Sequence, residues 1–295
     1  MTAFDTVMSE FSMNLVVQAP LETHADAGML DVLAKLAGAT SMESLSSHVW
    51  RCKLVSATMQ TRDDITAQAL AAGLDVAFVP AGRHLHDFKL LVMDMDSTLI
   101  TIECIDEIAD MQGLKPQVAA ITEATMRGDL PFPESLVRRV ALLEGLDASA
   151  LKRVIDERLQ LSSGAEAMLA AVQAAGLKTL LVSGGFTYFT NHMQETLGLD
   201  FAHANQLEIV DGKLTGRVLG EIVDAEAKRQ TVEETCANLG ITPAQTIIMG
   251  DGANDLKMMA IAGISVAFRA KPVVRAQADI ALNFVGLDGI LALFD

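Results

Sequence analysis

The sequence has few cysteines, no long basic cluster and no long apolar run. Its three cysteines, Cys52, Cys104 and Cys236, are odd in number and widely spaced, which fits neither a zinc site nor a disulfide framework. Sparse cysteine of this kind is typical of a reducing compartment, so we expect a cytoplasmic location. No apolar run approaches the roughly 18 residues that span a bilayer, and residues 1–13 lack the apolar core of a signal peptide. We therefore expect a soluble protein that is not secreted.

Positive charge is also scarce. The 295 residues include 22 lysines and arginines against 38 acidic residues, which gives a formal net charge of −16. No basic cluster is longer than the pair Arg138 and Arg139, so binding to nucleic acid or to an anionic membrane is disfavoured. An anionic small-molecule substrate would have to be held by local positive charge. The length and the 51% hydrophobic composition favour two domains with substantial cores.

Residues 1–85 have the pattern of a small, separate α+β unit. Strand-like and helix-like segments follow one another in the order β-α-β-β-α-β, which is typical of an open antiparallel sheet with two helices on one face. The unit resembles the ferredoxin-like ACT domains that sense amino acids. That resemblance implies a regulatory ligand site, or a packing module through which a homodimer forms. His84 and His86, in the linker that follows, are expected to be solvated.

Two carboxylates stand at the end of an apolar stretch in KLLVMDMDSTLI, residues 89–100. The continuous apolar run before Asp94 is typical of a buried strand in a parallel sheet, and ligands of such sheets bind beyond the strand ends. Alternation along an extended chain predicts that Asp94 and Asp96 share a face. Two like charges at this spacing favour a bound cation, and oxygen ligands alone indicate Mg²⁺.

Two further predicted strands end in small or polar residues. LKTLLVSGGF places a Ser-Gly-Gly turn, residues 183–185, between a buried strand and a helix, where backbone N–H groups can approach an anion. TIIMGDGAND brings Asp251, Asn254 and Asp255 to the same edge of the sheet. The hairpin signal around Asp211, in FAHANQLEIVDGKLTGRV, is expected to lie away from the chemistry.

A nearly all-helical interval, about residues 105–162, follows the first strand and predicts a cap over the site. Arg138 and Arg139 point about 100° apart on a helix, so only one should face the site, and the pattern does not say which. Glu103 lies in the first turn of the preceding helix, where an acid is common. Lys228 lies in the first turn of a later helix, where a cation is aimed at an anion or is an ordinary surface residue.

The motifs resemble those of the haloacid dehalogenase superfamily, in the same order, over residues 89–283. DMDSTLI matches the first motif, D-x-D-x-T; the Ser-Gly-Gly turn matches the second; GDGAND matches the fourth. The third motif is a lysine, for which Lys228 is the match, with Arg229 as its neighbouring alternative. RGDLPFPESLVRRVALL resembles the cap segment of the phosphoserine phosphatases of this superfamily, in which an aromatic residue and an arginine face the substrate. The matching positions are Phe132 and Arg139.

This resemblance implies both a fold and an activity. The implied fold is α/β, with a Rossmann-like parallel sheet and a helical cap in residues 86–295, preceded by the small ACT-like unit. The implied activity is Mg²⁺-dependent hydrolysis of O-phospho-L-serine to L-serine and phosphate, the last step of serine biosynthesis. In this scheme Asp94 is the nucleophile that becomes an aspartyl phosphate, and Asp96 is the general acid and base. Asp94, Asp96 and Asp251 hold the metal, and Asp255 orients its waters.

The remaining implied roles concern the substrate. Ser183, the Gly184 amide and Lys228 offset phosphate charge, while Asn254 binds phosphate or positions the lysine. Phe132, Glu103 and Arg139 recognise the amino acid, because a carboxylate and a guanidinium can bind its ammonium and carboxylate separately. A phosphatase or phosphotransferase for another small alcohol, such as homoserine, is chemically close. An amino-acid sensor built on an inactive phosphatase would lack the nucleophile or a metal-binding acid, and both are present here.

Overall fold

The computed structural model describes residues 12–23, 25–126 and 129–295. Residues 1–11, where no signal peptide is expected, and the predicted end of the first cap helix at Arg127 and Gly128 lie outside the described residues. Within the described ranges, none of the helices has both the length and the apolar character needed to span a bilayer. The three cysteines are buried and free, as their spacing predicts.

The N-terminal unit is a four-stranded antiparallel sheet with the strand order β2-β3-β1-β4. Helices α1 and α2 pack on one face through a core that includes Leu15, Leu33 and Ile65. β1 is central and all six of its residues are buried, whereas β2 is an exposed edge strand. The predicted order of elements is therefore confirmed. The bounds are β1 Met13–Gln18, α1 Ala27–Leu36, β2 Ser41–Ser46, β3 Val49–Val55, α2 Met59–Ala71 and β4 Asp75–Pro80.

The main unit is a seven-stranded sheet with the strand order β11-β10-β9-β5-β6-β7-β8. All neighbouring strands are parallel except the pair β7 and β8, which forms an antiparallel hairpin. The strand bounds are β5 Leu90–Met93, β6 Lys178–Phe186, β7 Phe201–Val210, β8 Lys213–Leu219, β9 Thr246–Gly250, β10 Ile264–Phe268 and β11 Ile280–Leu282. The predicted α/β class with a mostly parallel sheet is confirmed.

Helices cover both faces of this sheet, which explains why its central strand is apolar throughout. Leu91 and Met93 of β5 face one core, while Leu90 and Val92 face the other. The helix bounds are α3 Cys104–Asp110, α4 Lys115–Met126, α5 Phe132–Ala141, α6 Ser149–Glu157, α7 Ala165–Ala174, α8 Thr187–Leu197, α9 Ala225–Leu239, α10 Leu256–Met259 and α11 Pro272–Arg275.

Helices α4, α5 and α6 form a cap between β5 and β6, and the β7–β8 hairpin holds it. Asp211 and Gly212 at the hairpin turn both have positive φ, +48° and +75°, which suits a tight two-residue turn. The loop after α5 bonds to the hairpin backbone: Gly145 N donates to Leu214 O over 2.8 Å, and Leu214 N donates to Leu146 O over 2.8 Å. The cap is therefore tied by backbone hydrogen bonds to the edge of the main sheet.

The N-terminal unit is bonded to the C-terminal end of the main unit through a buried carboxylate. Asp75, at the start of β4, is 1% exposed. It accepts hydrogen bonds from the backbone N–H groups of Asn283, Phe284 and Val285 and from the Asn283 side-chain amide, over 2.8–3.0 Å. Arg51 pairs with Asp295 nearby. Four donors converge on one carboxylate, so the turn after β11 depends on a residue of the N-terminal sheet.

Asp75→Asn should destabilise the protein by about 2–4 kcal/mol, because the amide loses the charge and turns an N–H toward buried donors. We expect a lower urea midpoint in unfolding monitored by fluorescence. Asp31→Asn, at an exposed position on α1, is the control and should leave the midpoint unchanged. Equal midpoints for the Asp75 variant and the wild type would contradict the role assigned to this carboxylate.

Candidate active site

The first strand of the site ends earlier than the alternation argument assumes. β5 ends at Met93, and residues 95–99 form a tight turn in which Ser97 has a φ of +56°. Met95 N donates to Asp94 Oδ1 over 2.7 Å, and Cys104 N donates to Asp96 Oδ1 over 3.0 Å. The prediction that strand alternation orients Asp96 is therefore wrong. The turn and the start of α3 orient it instead.

Lys228 is the cation at the centre of the site. It is fully buried, and its Nζ lies 2.9 Å from Asp94 Oδ1 and 2.8 Å from Asp255 Oδ1. Burial alone would lower the lysine pKa, but the two carboxylates outweigh it and raise the pKa above its usual value. Arg229, the sequence alternative, points away and pairs with Glu226 and Glu233. The structure thus selects Lys228 as the residue in the site.

Three carboxylates form a cluster at the ends of β5 and β9. Oxygen atoms of Asp94, Asp251 and Asp255 lie within 4.8 Å of one another. Both oxygens of Asp255 are already occupied, since Oδ1 accepts from Lys228 and Oδ2 accepts from Gly252 N over 3.1 Å. From the described residues, the Asp251 side chain accepts one hydrogen bond, which is long, at 3.4 Å from Thr98 Oγ1. A hard divalent cation fits best between Asp94 and Asp251, with Asp255 behind them.

The pKa values of these acids are raised, which is the electrostatic mark of a cation site. Burial raises the pKa of Asp94 well above its usual value, with Asp255 adding to the effect and Lys228 opposing it. Burial, with Asp255 adding to it, raises the pKa of Asp251 to about 6. Burial also raises the pKa of Asp96, against its hydrogen bond from Cys104. Lys228 alone therefore does not balance the negative charge.

The Ser-Gly-Gly turn lies against the same carboxylates. Ser183 is fully buried within β6, where the pairing with β7 becomes irregular, and its Oγ accepts from Gly185 N over 2.8 Å. A Cβ on Gly185 would stand 2.6 Å from Asp96 Oδ2, so a side chain at this position would displace Asp96. The predicted turn after the strand is therefore the irregular last part of β6, and it brings a hydroxyl and backbone amides next to Asp96.

Asn205 is a contributor to the site that the sequence reasoning missed. It is 1% exposed on β7, where its Nδ2 donates to Gly184 O over 2.8 Å and its Oδ1 accepts from Val223 N over 2.8 Å. It therefore connects the Ser-Gly-Gly turn to the segment that leads into α9 and Lys228. The expectation that the β7–β8 hairpin lies away from the chemistry is wrong. The sequence shows only an asparagine within a predicted strand, and its partners became visible once its burial was known.

Glu103 lies at the mouth of the site. It is the N-cap residue of α3 and not a first-turn residue as predicted, and its Oε1 accepts from Ser97 Oγ over 2.6 Å. Its side chain keeps contact with solvent, but the protein around it and the charge of Asp96 raise its pKa to about 7. A carboxylate so placed can receive a cationic group of a ligand.

The cap contributes Phe132 and Arg139 from α5. Arg139 is 9% exposed and donates from Nε to Ser135 O over 3.4 Å, whereas Arg138 is exposed and pairs with Glu134. The choice that the pattern left open is therefore settled by burial. The Phe132 ring lies over Gly184, where an added Cβ would stand 3.1 Å from its Cζ. The cap thus touches the turn of the main sheet.

The charge of Arg139 is influenced by its burial and by nearby acids. Burial lowers the pKa of Arg139, while Asp106, Glu103 and Asp96 raise it, so its charge faces the acids of the cleft. No described carboxylate forms an ion pair with Arg139.

Asn254 is half-buried in the turn after β9, and its side chain lies over Gly252. Its proposed contact with phosphate stays a prediction.

Comparisons with known proteins agree with this geometry. The sequence profile of the haloacid dehalogenase-like hydrolase family matches residues 91–260. The phosphoserine phosphatase of Polaromonas sp. is 53% identical over 229 residues, which are 76% of this chain and 97% of that protein. A haloacid dehalogenase family hydrolase of known structure, from Salmonella enterica serovar Typhi, is 30% identical with a TM-score of 0.87 and covers 96% of this chain and 99% of its own. The probable phosphoserine phosphatase of Vibrio cholerae is 35% identical with a TM-score of 0.79, covering 96% and 86%.

Proposed function

The chain belongs to the haloacid dehalogenase-like hydrolase family, and from this premise we propose that it hydrolyses O-phospho-L-serine to L-serine and phosphate through a phosphorylated Asp94. The observation that carries the proposal is the pairing of two features. Asp94 is buried and held by Lys228, and Arg139 is buried in the facing cap with no ion pair among the described residues. The first feature suits phosphoryl transfer, and the second suits a substrate that carries a carboxylate.

In the first step an oxygen of Asp94 attacks phosphorus, and the bond to the serine oxygen breaks. Met95 N and Lys228 hold Asp94 Oδ1, which fixes the carboxylate in one orientation. Asp96 donates a proton to the leaving serine oxygen. Its raised pKa keeps more of it protonated than an exposed aspartate would be.

In the second step water attacks the phosphorus of the aspartyl phosphate and releases phosphate. Asp96, now ionised, accepts a proton from that water, so that Asp94 returns as a free carboxylate. Ser183 Oγ, the amides of the Ser-Gly-Gly turn and Lys228 are placed to bear the charge on the phosphate oxygens. Phe132 over Gly184 helps to exclude bulk water from this site.

Mg²⁺ is the cofactor that this donor set fits best. The Asp251 carboxylate and the second oxygen of Asp94 lie close together and accept no strong hydrogen bond from described residues. Both oxygens of Asp255, by contrast, already accept hydrogen bonds. When bound, the metal supplies positive charge to the transferring phosphoryl group. Asp96 would join through its backbone carbonyl, and Asp255 would orient metal-bound water.

Substrate selection is assigned to Glu103 and Arg139. Free phosphoserine has an ammonium and a carboxylate, whereas a phosphoserine within a polypeptide has two amides. Each charge-assisted hydrogen bond contributes about 1.5–3 kcal/mol, so the two together favour the free amino acid by about 10²–10⁴-fold. A cytoplasmic location is also part of the proposal, and the free, buried cysteines support it.

Asp94→Asn should lower phosphate release from O-phospho-L-serine at least about 10³-fold, because the amide cannot form the acyl phosphate. Dialysis against EDTA should stop phosphate release by the wild-type protein, and added Mg²⁺ should restore it. The control is Asp156→Asn, an exposed aspartate on the cap, which should keep full activity. Turnover by the Asp94 variant, or by the metal-free wild type, would contradict the proposal.

Mg²⁺ should raise Tm much more at pH 7.5 than at pH 5. The pKa of Asp251 is about 6 in the metal-free folded protein, above its unfolded value, so its contribution to stability is present below about pH 4 and is lost as the pH rises through 6. Mg²⁺ binds the ionised form and must displace a proton below pH 6. Asp251→Asn should abolish most of the Mg²⁺ effect at pH 7.5, while Glu234→Gln on α9 should not. A Mg²⁺ effect that is the same at both pH values would count against this site.

Arg139→Lys should lower kcat/KM for phosphoserine by about 10–100-fold, because lysine keeps the charge but loses the two-pronged hydrogen bond to the carboxylate. The same variant should change kcat/KM for p-nitrophenyl phosphate less than about threefold. Arg138→Lys, the exposed neighbour, is the matched control. Glu103→Gln should likewise lower kcat/KM for phosphoserine more than for p-nitrophenyl phosphate, because the amide loses the charge that attracts the substrate ammonium. Equal losses of kcat/KM on both substrates would show that Arg139 and Glu103 do not recognise the amino-acid part of the substrate.

A homodimer formed through the N-terminal unit stays a prediction. The exposed edge strand β2 carries Met42 and Leu45, and Leu54 is 50% exposed nearby. Apolar side chains along an open strand edge support an association of this kind. Sedimentation velocity that shows only monomer at micromolar concentration would rule it out.

A further inference from the structure

A second cavity lies between the N-terminal unit and the main sheet. It has a volume of about 1120 Å³ and shares no lining residue with the site described above. One wall is formed by α2 and β4, and the other by β10, β11 and α11. β4 and β11 are the edge strands of their sheets and lie next to each other, so the groove follows the junction of two sheet edges. Its volume is slightly above the roughly 300–1,000 Å³ that is typical of small-molecule sites.

Three arginines from three different segments line this groove: Arg62 on α2, Arg83 after β4 and Arg275 on α11. None of them forms an ion pair with a described carboxylate. Six of the eleven described arginines do form such pairs, in a chain of net charge −16. Those six are Arg51, Arg138, Arg153, Arg158, Arg217 and Arg229. Arg139, assigned above to the substrate carboxylate, and the exposed Arg269, which lies 5.2 Å from the Phe268 ring centre, also lack an ion pair with a described carboxylate.

The guanidinium groups of Arg62 and Arg275 are held by neighbouring residues, but most of their N–H groups have no acceptor among the described residues. Arg62 stacks 5.0 Å from the Phe78 ring centre and uses only Nε, which donates to Ala57 O over 3.3 Å. Arg275 donates one bond, from Nη1 to Asn283 Oδ1 over 3.2 Å. Stacking occupies the face of a guanidinium and leaves its donor edge available for an anion. Burial lowers the pKa of Arg62, as expected for a cation removed from water without a counter-ion.

Arg83 is in a similar position. It lies 5.9 Å from the centre of the Phe88 ring, and no described residue accepts a hydrogen bond from its guanidinium. Burial lowers its pKa, while the more distant charges of Asp279 and Asp87 raise it. All three arginines are half-buried, so an anion in the groove would be partly shielded from water and bound more strongly than at an open surface.

The described acids that line the groove form no ion pair with these arginines, although the charge of Asp279 acts on Arg83. Asp75 is saturated by its four hydrogen bonds from Asn283, Phe284 and Val285. Asp279 accepts from Ser265 N and from Ser265 Oγ, over 2.8 and 2.7 Å. Asp63 is exposed to solvent. The donors left without acceptors in the groove therefore belong to the arginines.

We propose that this groove binds a phosphorylated small molecule of nucleotide size. Guanidinium groups from three segments suit a ligand with several anionic oxygens, whereas a single carboxylate is satisfied by one arginine. The apolar walls suit an organic body beside the phosphate groups, and they include Leu70, Ala77, Val79 and Ile280. A ligand held by Arg62 and Arg275 together would join the two units across their interface.

Isothermal titration calorimetry on the full chain, without divalent cations, tests this proposal. The probes are ATP, GTP, AMP, pyrophosphate and citrate, with L-serine, a zwitterion of no net charge, as the comparison. We expect one nucleotide to bind with 1:1 stoichiometry and a Kd below about 100 μM, which is the affinity that several charge-assisted contacts support. Failure of every phosphorylated probe to bind at 1 mM would overturn the proposal. Saturation by citrate without nucleotide binding would overturn the choice of phosphate.

Variants locate the bound probe. Arg62→Gln and Arg275→Gln should each weaken binding at least about tenfold, and Arg62→Lys should weaken it as well because the lysine lacks the planar fork. Arg138→Gln and Asp94→Asn should leave the Kd unchanged. All groove variants should keep their phosphatase activity and their Tm, so that lost binding cannot reflect unfolding. Binding that depends on Asp94, or that ignores both groove arginines, would place the probe elsewhere and overturn the site.

Discussion

The buried ion pairs of Lys228 are the interaction on which the active site depends. A fully buried ammonium contacts Asp94 and Asp255 at once, and its charge fixes the orientation of both carboxylates. Asp255 is thereby saturated, so that Asp251 and the remaining oxygen of Asp94 are left for a metal. Removing one member of such a buried group leaves an uncompensated charge in the interior. The parallel sheet and α9 are the elements that bring these residues together from distant parts of the chain.

The cap and the β7–β8 hairpin bring further side chains to the carboxylates of the site. Arg139 and Phe132 belong to α5, and they reach the site only because the cap lies against the Ser-Gly-Gly turn. The hairpin bonds the cap at Gly145 and Leu214, and its strand β7 also carries Asn205, which bonds to the turn. One hairpin therefore positions both sides of the cleft. In the proposed mechanism the carboxylates act on phosphorus, and Arg139 of the cap binds the substrate carboxylate from the facing side of the cleft.

The N-terminal unit is integrated with the main unit and is not a loosely attached module. Asp75 satisfies the turn after β11, and Arg51 pairs with Asp295 at the end of the chain. The loop after β10 connects this interface with the turn that carries Asp251, since Arg269 N donates to Leu282 O over 2.7 Å and Lys271 N donates to Asp251 O over 3.2 Å. The arginine-lined groove lies along the same interface. Its walls are therefore continuous with backbone that contacts an acid of the active site.

The sequence by itself determined the fold class, the order of elements and most of the active-site residues. Apolar runs ending in Asp94, Ser183 and Asp251 are sufficient for that, because parallel strands of one sheet all present their carboxyl ends at one edge. Tertiary structure decided the rest. Arg139 and Lys228 could not be separated from Arg138 and Arg229 by pattern, because neighbouring residues differ only in which face of a helix is buried. The connection made by Asn205 and the groove between the two sheets depend on contacts between segments far apart in the chain, and such contacts leave no local periodicity to read.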